Sequence, residues 1–207
     1  MASRSDMMRA VGAASLVFGP PCWAGEPRSR DEGYEVQKSD AEWRNELSRS
    51  AYFVLRRGGT ERPNSSPLAR EKRKGDFVCA GCGTPLFRSD DKFESGTGWP
   101  SFADATENVE VERVALEMVT GAELRCKRCG GHLGDRFLDG KLFPGTAAAK
   151  TGMRYCIDGA ALVFLPADGS PPRRGDVDPS QQLKTPQQTL PKWLQPPPVN
   201  ERGASSA

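Results

Sequence analysis

Cys126-Lys127-Arg128-Cys129-Gly130-Gly131-His132-Leu133-Gly134 answers an earlier stretch of the chain, Cys79-Ala80-Gly81-Cys82-Gly83. Each holds a C-x-x-C pair followed at once by glycine. Such a turn lets two sulfurs converge while backbone amides point at them. Two such turns supply four thiolates, enough to close a tetrahedron around zinc. Residues 83–125 separate the pairs, so a shared metal would staple distant parts of one fold rather than build a self-contained finger. The same four cysteines also suit two disulfides or two redox dithiols, above all outside the cytosol.

Six cysteines occur in all, which leaves Cys22 and Cys156. Cys156 lies in Gly152-Met153-Arg154-Tyr155-Cys156-Ile157-Asp158 and has no partner at C-x-x-C spacing. A lone cysteine entering a strand also reads as buried filler, because free cysteine is among the most buried residue types. With four cysteines on a metal, however, Cys156 is a spare thiol, and the thiolate is the nucleophilic form. Arg154 and Asp158 each stand two residues away, on the same face of an extended strand. The cation favours the thiolate and the carboxylate opposes it, so the sign of the net shift stays open. The chain has one histidine, His132, and imidazole chemistry near neutral pH falls to it alone. Trp99 stands in Ser95-Gly96-Thr97-Gly98-Trp99-Pro100-Ser101-Phe102. Glycines there make tight turns, a setting for an exposed aromatic wall, with a plain core position as the alternative.

Residues 1–24 read as a secretory leader. Arg4 and Arg9 give a basic start, Ala10 to Phe18 a short apolar core, and Cys22-Trp23-Ala24 a small residue at the cut. Cleavage after Ala24 would remove Cys22 and place the protein in the periplasm or outside the cell; a cytosolic extension is the alternative. The apolar run is too short to span a bilayer, and no stable membrane association is expected after leader removal. Residues 25–36 are polar and read as a linker.

The folded domain is expected at 37–166. Ser39-Asp40-Ala41-Glu42 fits a capping box that opens a helix, with Trp43 and Leu47 on one face. Ser50 is placed to cap a second helix, Ala51 to Arg57, ended by Gly58-Gly59. From Phe77 the pattern changes to short strands. Val109–Val119 and Ala122–Cys126 read as two strands joined at Thr120-Gly121. Lys141–Thr151 reads as a loop, and Tyr155–Leu165 as one last strand. Prolines crowd residues 167–207 and large apolar side chains are sparse, so this tail is expected to be disordered, with Trp193 and Leu194 as a docking point. Lysine and arginine total 29 against 27 acids. That balance implies no basic face and speaks against a nucleic-acid partner.

Five landmarks, in order, carry a resemblance. They are Gly59-Thr60-Glu61-Arg62-Pro63, the Cys79–Cys82 turn, Ser95 to Phe102, Cys126 to Gly134, and Arg154-Tyr155-Cys156. From about Tyr34 to Leu165 the chain resembles the B-type methionine-R-sulfoxide reductases. The resemblance implies a mainly β fold of two antiparallel sheets with short N-terminal helices. It implies one structural zinc, on Cys79, Cys82, Cys126 and Cys129. It makes Cys156 the nucleophile, sets Trp99 against the substrate S-methyl group and puts His132 in the active site. Asp139 and Arg154 match family positions on the substrate side. Two departures stand out: Asp135 where the family usually has a second histidine, and Asp158 where it usually has asparagine. Lys141–Thr151 is also longer than the compact loop common there.

The chemistry implied is thiol-dependent reduction of methionine-R-sulfoxide, protein-bound and also free. The thiolate attacks sulfur, an acid protonates the oxygen, and Cys156 becomes a sulfenic acid. His132 is expected to carry the proton, with Asp135 orienting it or a water, and Asp158 to face the substrate. A second thiol must then reduce Cys156. Many relatives place a resolving cysteine where this chain has Thr97, so the reductant is expected to be another molecule: thioredoxin, a periplasmic dithiol protein or a small thiol. The competing reading is a zinc-stapled β module that binds a ligand or oxidised protein without turnover.

Overall fold

A computed structural model describes residues 33–112, 117–176 and 192–195. The expected leader, residues 1–24, lies outside them, as do 25–32 of the linker and most of the tail. The elements are α1 (Asp40–Glu46), α2 (Arg49–Arg57), β1 (Gly75–Cys79), β2 (Pro85–Arg88), β3 (Lys92–Phe93), β4 (Ser101–Phe102), β5 (Val109–Val111), α3 (Glu117–Thr120), β6 (Ala122–Cys126), β7 (His132–Phe137), α4 (Ala147–Thr151), β8 (Arg154–Ile157), β9 (Leu162–Pro166) and β10 (Arg173–Arg174), with short 3-10 turns between some of them. The strands form two antiparallel sheets, ordered β10-β9-β1-β2 and β3-β4-β8-β7-β6-β5. This is the mainly β, two-sheet architecture expected.

Aromatic rings join the sheets. Phe77 of β1 meets Phe102 of β4 edge-on at 5.0 Å, and Phe87 of β2 stacks on Phe102 at 4.5 Å. Phe164 of β9 closes on Phe77 at 4.8 Å. All four side chains are fully buried. Burial of each is worth about 1.5–3 kcal/mol, so this cluster is a main adhesive between the layers.

The helices form where capping predicts. Ser39 and Glu42 make the reciprocal capping box of α1. The second helix starts earlier than expected: Ser48, not Ser50, accepts from Ala51 N. The earlier start adds two residues, about half a turn, and Ala51, Tyr52, Val54 and Leu55 all reach the core. Trp43 and Leu55 lie over the first cysteine turn at Gly81, and an Arg56 guanidinium nitrogen donates to Cys129 O at 2.8 Å. The two short helices therefore roof the cysteine cluster.

Several expected elements differ. The single strand Tyr155–Leu165 is two strands in two sheets. The chain leaves β8 at Asp158, turns through Gly159–Ala161, and re-enters as β9. Gly159 packs so closely on Ser66 that a Cβ would lie 2.0 Å from its Oγ. The Glu61 carboxylate accepts from Gly159 N at 2.7 Å and Ala160 N at 3.1 Å. Those bonds replace a strand ladder, which is why the apolar run does not continue straight. The strand expected over Val109–Val119 ends at Val111, and Glu117–Thr120 is helical. Lys141–Thr151 contains a 3-10 turn and α4 rather than only loop, with the buried Ala148 packing beside Phe93 and Ala103.

Both domain ends extend beyond 37–166. Tyr34 is buried, and Val36 N donates to Arg128 O at 2.8 Å, so the last linker residues belong to the fold. β10 pairs with β9, extending the sheet past Pro166. Arg173 reaches the buried Glu71 carboxylate at 3.1 Å, an ion pair that composition alone does not reveal. Trp193 and Leu194 pack on the core, and Trp193 Nε1 donates to Ala80 O at 3.3 Å. These parts of the tail are ordered because each has a specific partner on the domain.

Candidate active site and metal centre

The two cysteine turns repeat one geometry. Gly83 N donates to Cys79 O at 2.9 Å, and Gly130 N to Cys126 O at 2.8 Å. Cys79 ends β1 and Cys126 ends β6, so the turns meet where two sheets meet. All four cysteines are buried, and their Sγ atoms lie within 4.8 Å of one another. Cys79 and Cys129 are 3.7 Å apart, Cys82 and Cys126 3.6 Å. These spacings exceed a disulfide bond, about 2.05 Å. They match the roughly 3.8 Å edge of a tetrahedron with metal–sulfur bonds of about 2.3 Å. Bonds from neighbouring sulfurs hold the Cys82 thiol well below the usual range, lower Cys126, and push Cys79 and Cys129 up. Four bare thiols thus cannot all ionise together; a dication would permit it. The donor set fits a closed, four-coordinate structural metal.

A second constellation is a lateral row. Glu123 of β6 pairs with Asp135 of β7, Asp135 with Cys156 of β8, and Cys156 with Ser101 of β4. Residues opposed in antiparallel strands share a face with Cβ atoms about 4.5–5.5 Å apart. The register therefore brings two carboxyls, a thiol and a hydroxyl into line. Gly134 makes the approach possible: at φ 138° its missing Cβ would lie 2.2 Å from Cys156 O.

Cys156 is half-buried and unpaired. Burial pushes its thiol up, against the pull of Arg154 and of a hydrogen bond from Thr97; Asp158 and Asp135 add to the rise. Burial wins, so the resting group is a thiol. Thr97 is itself held through Ser95, whose Oγ lies 2.9 Å from Thr97 Oγ1 and 2.7 Å from the buried Ser101 Oγ. Arg154 is clamped by Asp139, with Nε at 2.9 and 3.1 Å from its two oxygens and an outer nitrogen at 2.7 Å. Its guanidinium also covers the Phe137 ring at 4.4 Å. Such a clamp fixes the charge near the thiol rather than merely supplying it.

The remaining expected residues converge from other elements. His132, at the start of β7, is 7 % exposed. Its Nδ1 lies 2.8 Å from Glu123 Oε1, and its Nε2 faces Asp158 Oδ2 at 3.9 Å. Asp158 is buried, and burial raises its carboxyl to about 6, although Glu61 N donates to Oδ1 at 2.8 Å. Burial also raises Asp135, against the charge of His132. Trp99 is half-buried rather than core, and its indole N–H donates to Glu61 O at 3.1 Å.

Two residues emerge only in the fold. Glu61 donates its backbone N–H to Asp158, accepts from Trp99 and bonds Gly159 and Ala160, and burial raises its carboxyl to about 7. It lay unmarked inside the quoted Gly59–Pro63 stretch. Glu123 holds His132; its only signal in sequence is alternation along β6. A cavity of about 490 Å³ between α2 and residues 60–65 is lined by Glu61, Arg62 and Phe53 among others, but not by Cys156.

A half-buried thiol flanked by a clamped cation, an imidazole and carboxyls, on a sheet pinned by four cysteines, defines a thiol-based redox enzyme. Comparison with known proteins places it further. Residues 47–166 match the SelR domain family. The chain is 46% identical over 137 residues to a protein of Leifsonia xyli named peptide methionine sulfoxide reductase MsrB, covering 94% of that protein and 65% of this chain. Proteins of the same name from Methanosarcina barkeri and Agrobacterium fabrum are 47% and 43% identical, with 87% and 94% of their lengths covered and 62% and 64% of this chain. The chain belongs to this SelR, or B-type methionine sulfoxide reductase, family of oxidoreductases.

Proposed function

We propose that the protein reduces the R epimer of methionine sulfoxide, in oxidised proteins and as the free amino acid, through a sulfenic acid on Cys156. The observation that carries this reading is the opposition of Cys156 and Asp135 across β7 and β8, with His132 and Asp158 beside them. Asp135 is in place to take the thiol proton. The Cys156 sulfur then attacks the sulfoxide sulfur while His132, which has taken up a proton on Nε2 to become imidazolium, gives that proton to the oxygen. The oxygen leaves the substrate for Cys156. Substrate sulfur is reduced to the thioether and Cys156 is oxidised to the sulfenic acid, so atoms and electrons balance without another reactant. A thiol reductant then forms a mixed disulfide with Cys156 and releases water, and further thiol restores the enzyme.

Trp99 serves as the wall for the S-methyl group, pinned at its N–H by Glu61. Arg154, with Asp139, stabilises the thiolate once the proton has left. Asp158 completes the substrate side. Cys79, Cys82, Cys126 and Cys129 hold one zinc, which would neutralise their charge and tie β1 to β6. Because Thr97 occupies the position of a resolving cysteine, the reductant is a separate thioredoxin-like protein or small thiol. The leader-like residues 1–24 support a periplasmic or secreted site of action.

The test is turnover of dabsyl-methionine-R-sulfoxide and its S epimer with dithiothreitol. The R epimer should be reduced by the wild type and not by Cys156→Ser. Activity in Cys156→Ser, or a preference for the S epimer, would refute the reading.

A further inference from the structure

The geometry points to Glu123 as a positioning residue that sets the tautomer of His132, so that in the neutral ring Nδ1 carries the proton and Nε2 keeps a lone pair with which it takes up the proton it then gives to the substrate oxygen. This inference rests on the reductase reading for its consequence in catalysis, though not for its geometry.

The argument starts from the two ring nitrogens. Nδ1 lies 2.8 Å from Glu123 Oε1, a full hydrogen bond. A carboxylate can only accept, so the hydrogen in that bond belongs to Nδ1. Nε2 has a different outlook. Its nearest carboxylate oxygen, Asp158 Oδ2, is 3.9 Å away, beyond hydrogen-bond range. The other oxygen of Asp158 already accepts from Glu61 N. One nitrogen is therefore tied, and the other faces Asp158 without a hydrogen bond to it.

Glu123 is itself fixed. Its second oxygen accepts from an Arg125 guanidinium nitrogen at 2.7 Å, and the same nitrogen reaches Glu112 Oε2 at 3.2 Å. Arg125 pairs with His132 in the sheet, next to the irregularity between Leu124 and Arg125. That irregularity lets the Glu123 carboxyl, opposite Asp135, bend to the imidazole. The line Glu112, Arg125, Glu123, His132 alternates in charge and ends at the site. A free histidine prefers its proton on Nε2, and a partner at Nδ1 is what reverses the choice. With one histidine in the chain, no second imidazole can substitute for a wrongly protonated one.

The single histidine also makes the test direct. A long-range proton–nitrogen spectrum of the full ¹⁵N-labelled protein, reduced and zinc-loaded, contains one imidazole. At a pH where the ring ¹⁵N shifts show the neutral form, the wild type should show a proton on Nδ1 and none on Nε2. Glu123→Ala should revert to a proton on Nε2, with kcat down about 10- to 100-fold and KM within about threefold. Glu123→Gln retains an oxygen that can accept, so it should keep the wild-type tautomer and recover part of kcat; it also serves if the alanine variant fails to fold. A wild-type proton on Nε2, or wild-type kcat in both variants, overturns the proposal. A purely structural role would lower melting temperature in Glu123→Ala without moving the tautomer, and that result also overturns it. A wild type that shows the Nδ1 proton but reduces no sulfoxide would refute the reductase reading and, with it, the catalytic half of this inference, while the tautomer assignment stood.

Discussion

Asp135 and Cys156 face each other directly across the β7–β8 pair, a carboxyl raised by burial opposite a thiol raised by burial. Each disfavours charge on the other. One proton is therefore shared more readily than two are lost, and the pair is set to move a proton rather than to hold two charges.

Replacement of Asp135 by asparagine removes the proton acceptor and a charge that opposes the thiolate. The two effects oppose one another, so kcat should fall modestly, by about tenfold or less, while His132→Ala should cost about 10²- to 10⁴-fold. Steady-state kinetics on both variants check this. An inactive Asp135→Asn beside a nearly normal His132→Ala would make Asp135 the acid.

One turnover without reductant should leave Cys156 as a sulfenic acid that dimedone traps. The four other described cysteines are buried in their own cluster, so none is offered as a resolving thiol. Mass spectrometry after a single turnover checks this, and a disulfide from Cys156 to Cys79, Cys82, Cys126 or Cys129 would contradict it.

Cys126→Ser should lose metal and fold together, because a structural metal contributes its binding energy to folding. Metal analysis and circular dichroism on the same sample decide it. Zinc-free wild type that is reduced, folded and active would refute a structural zinc.

Glu61 and Asp158 predict the pH dependence of stability. Burial raises Glu61 from 4.5 to about 7 and Asp158 from 3.8 to about 6. The folded protein therefore binds these protons more tightly than the unfolded chain. Their contribution is full below about pH 4 and is lost as pH rises toward 7. For Glu61 alone the loss is about 3 kcal/mol. Urea midpoints at about pH 5 and pH 8 should show this fall in the wild type, and a shallower one in Glu61→Gln. An equal slope in both would place the linkage elsewhere.

Much of the site was legible in the chain because its signals are local. The paired C-x-x-C turns, the lone Cys156, the lone His132 and the glycine-flanked Trp99 are short patterns whose chemistry depends on neighbours in sequence. The capping box at Ser39 is likewise local, since its two hydrogen bonds span three residues. Ser50 misled because two serines stand two apart, and only the packing of α2 against the sheet decides which of them caps.

Sequence by itself determined the cysteine arithmetic, the β character, the family and the identity of the one spare thiol. Tertiary structure alone decided how the apolar run after Cys156 divides between two sheets, because the break is made by the distant Glu61 and Ser66 meeting Gly159. It decided the sign of the Cys156 shift, because burial there outweighs the guanidinium that sequence places beside it. It brought Glu123 to His132 and Arg173 to Glu71, since register and sheet order set those neighbours. Local patterns name the reactive groups. The desolvation and hydrogen bonds that set their protons come from residues far away in the chain, and no local pattern encodes them.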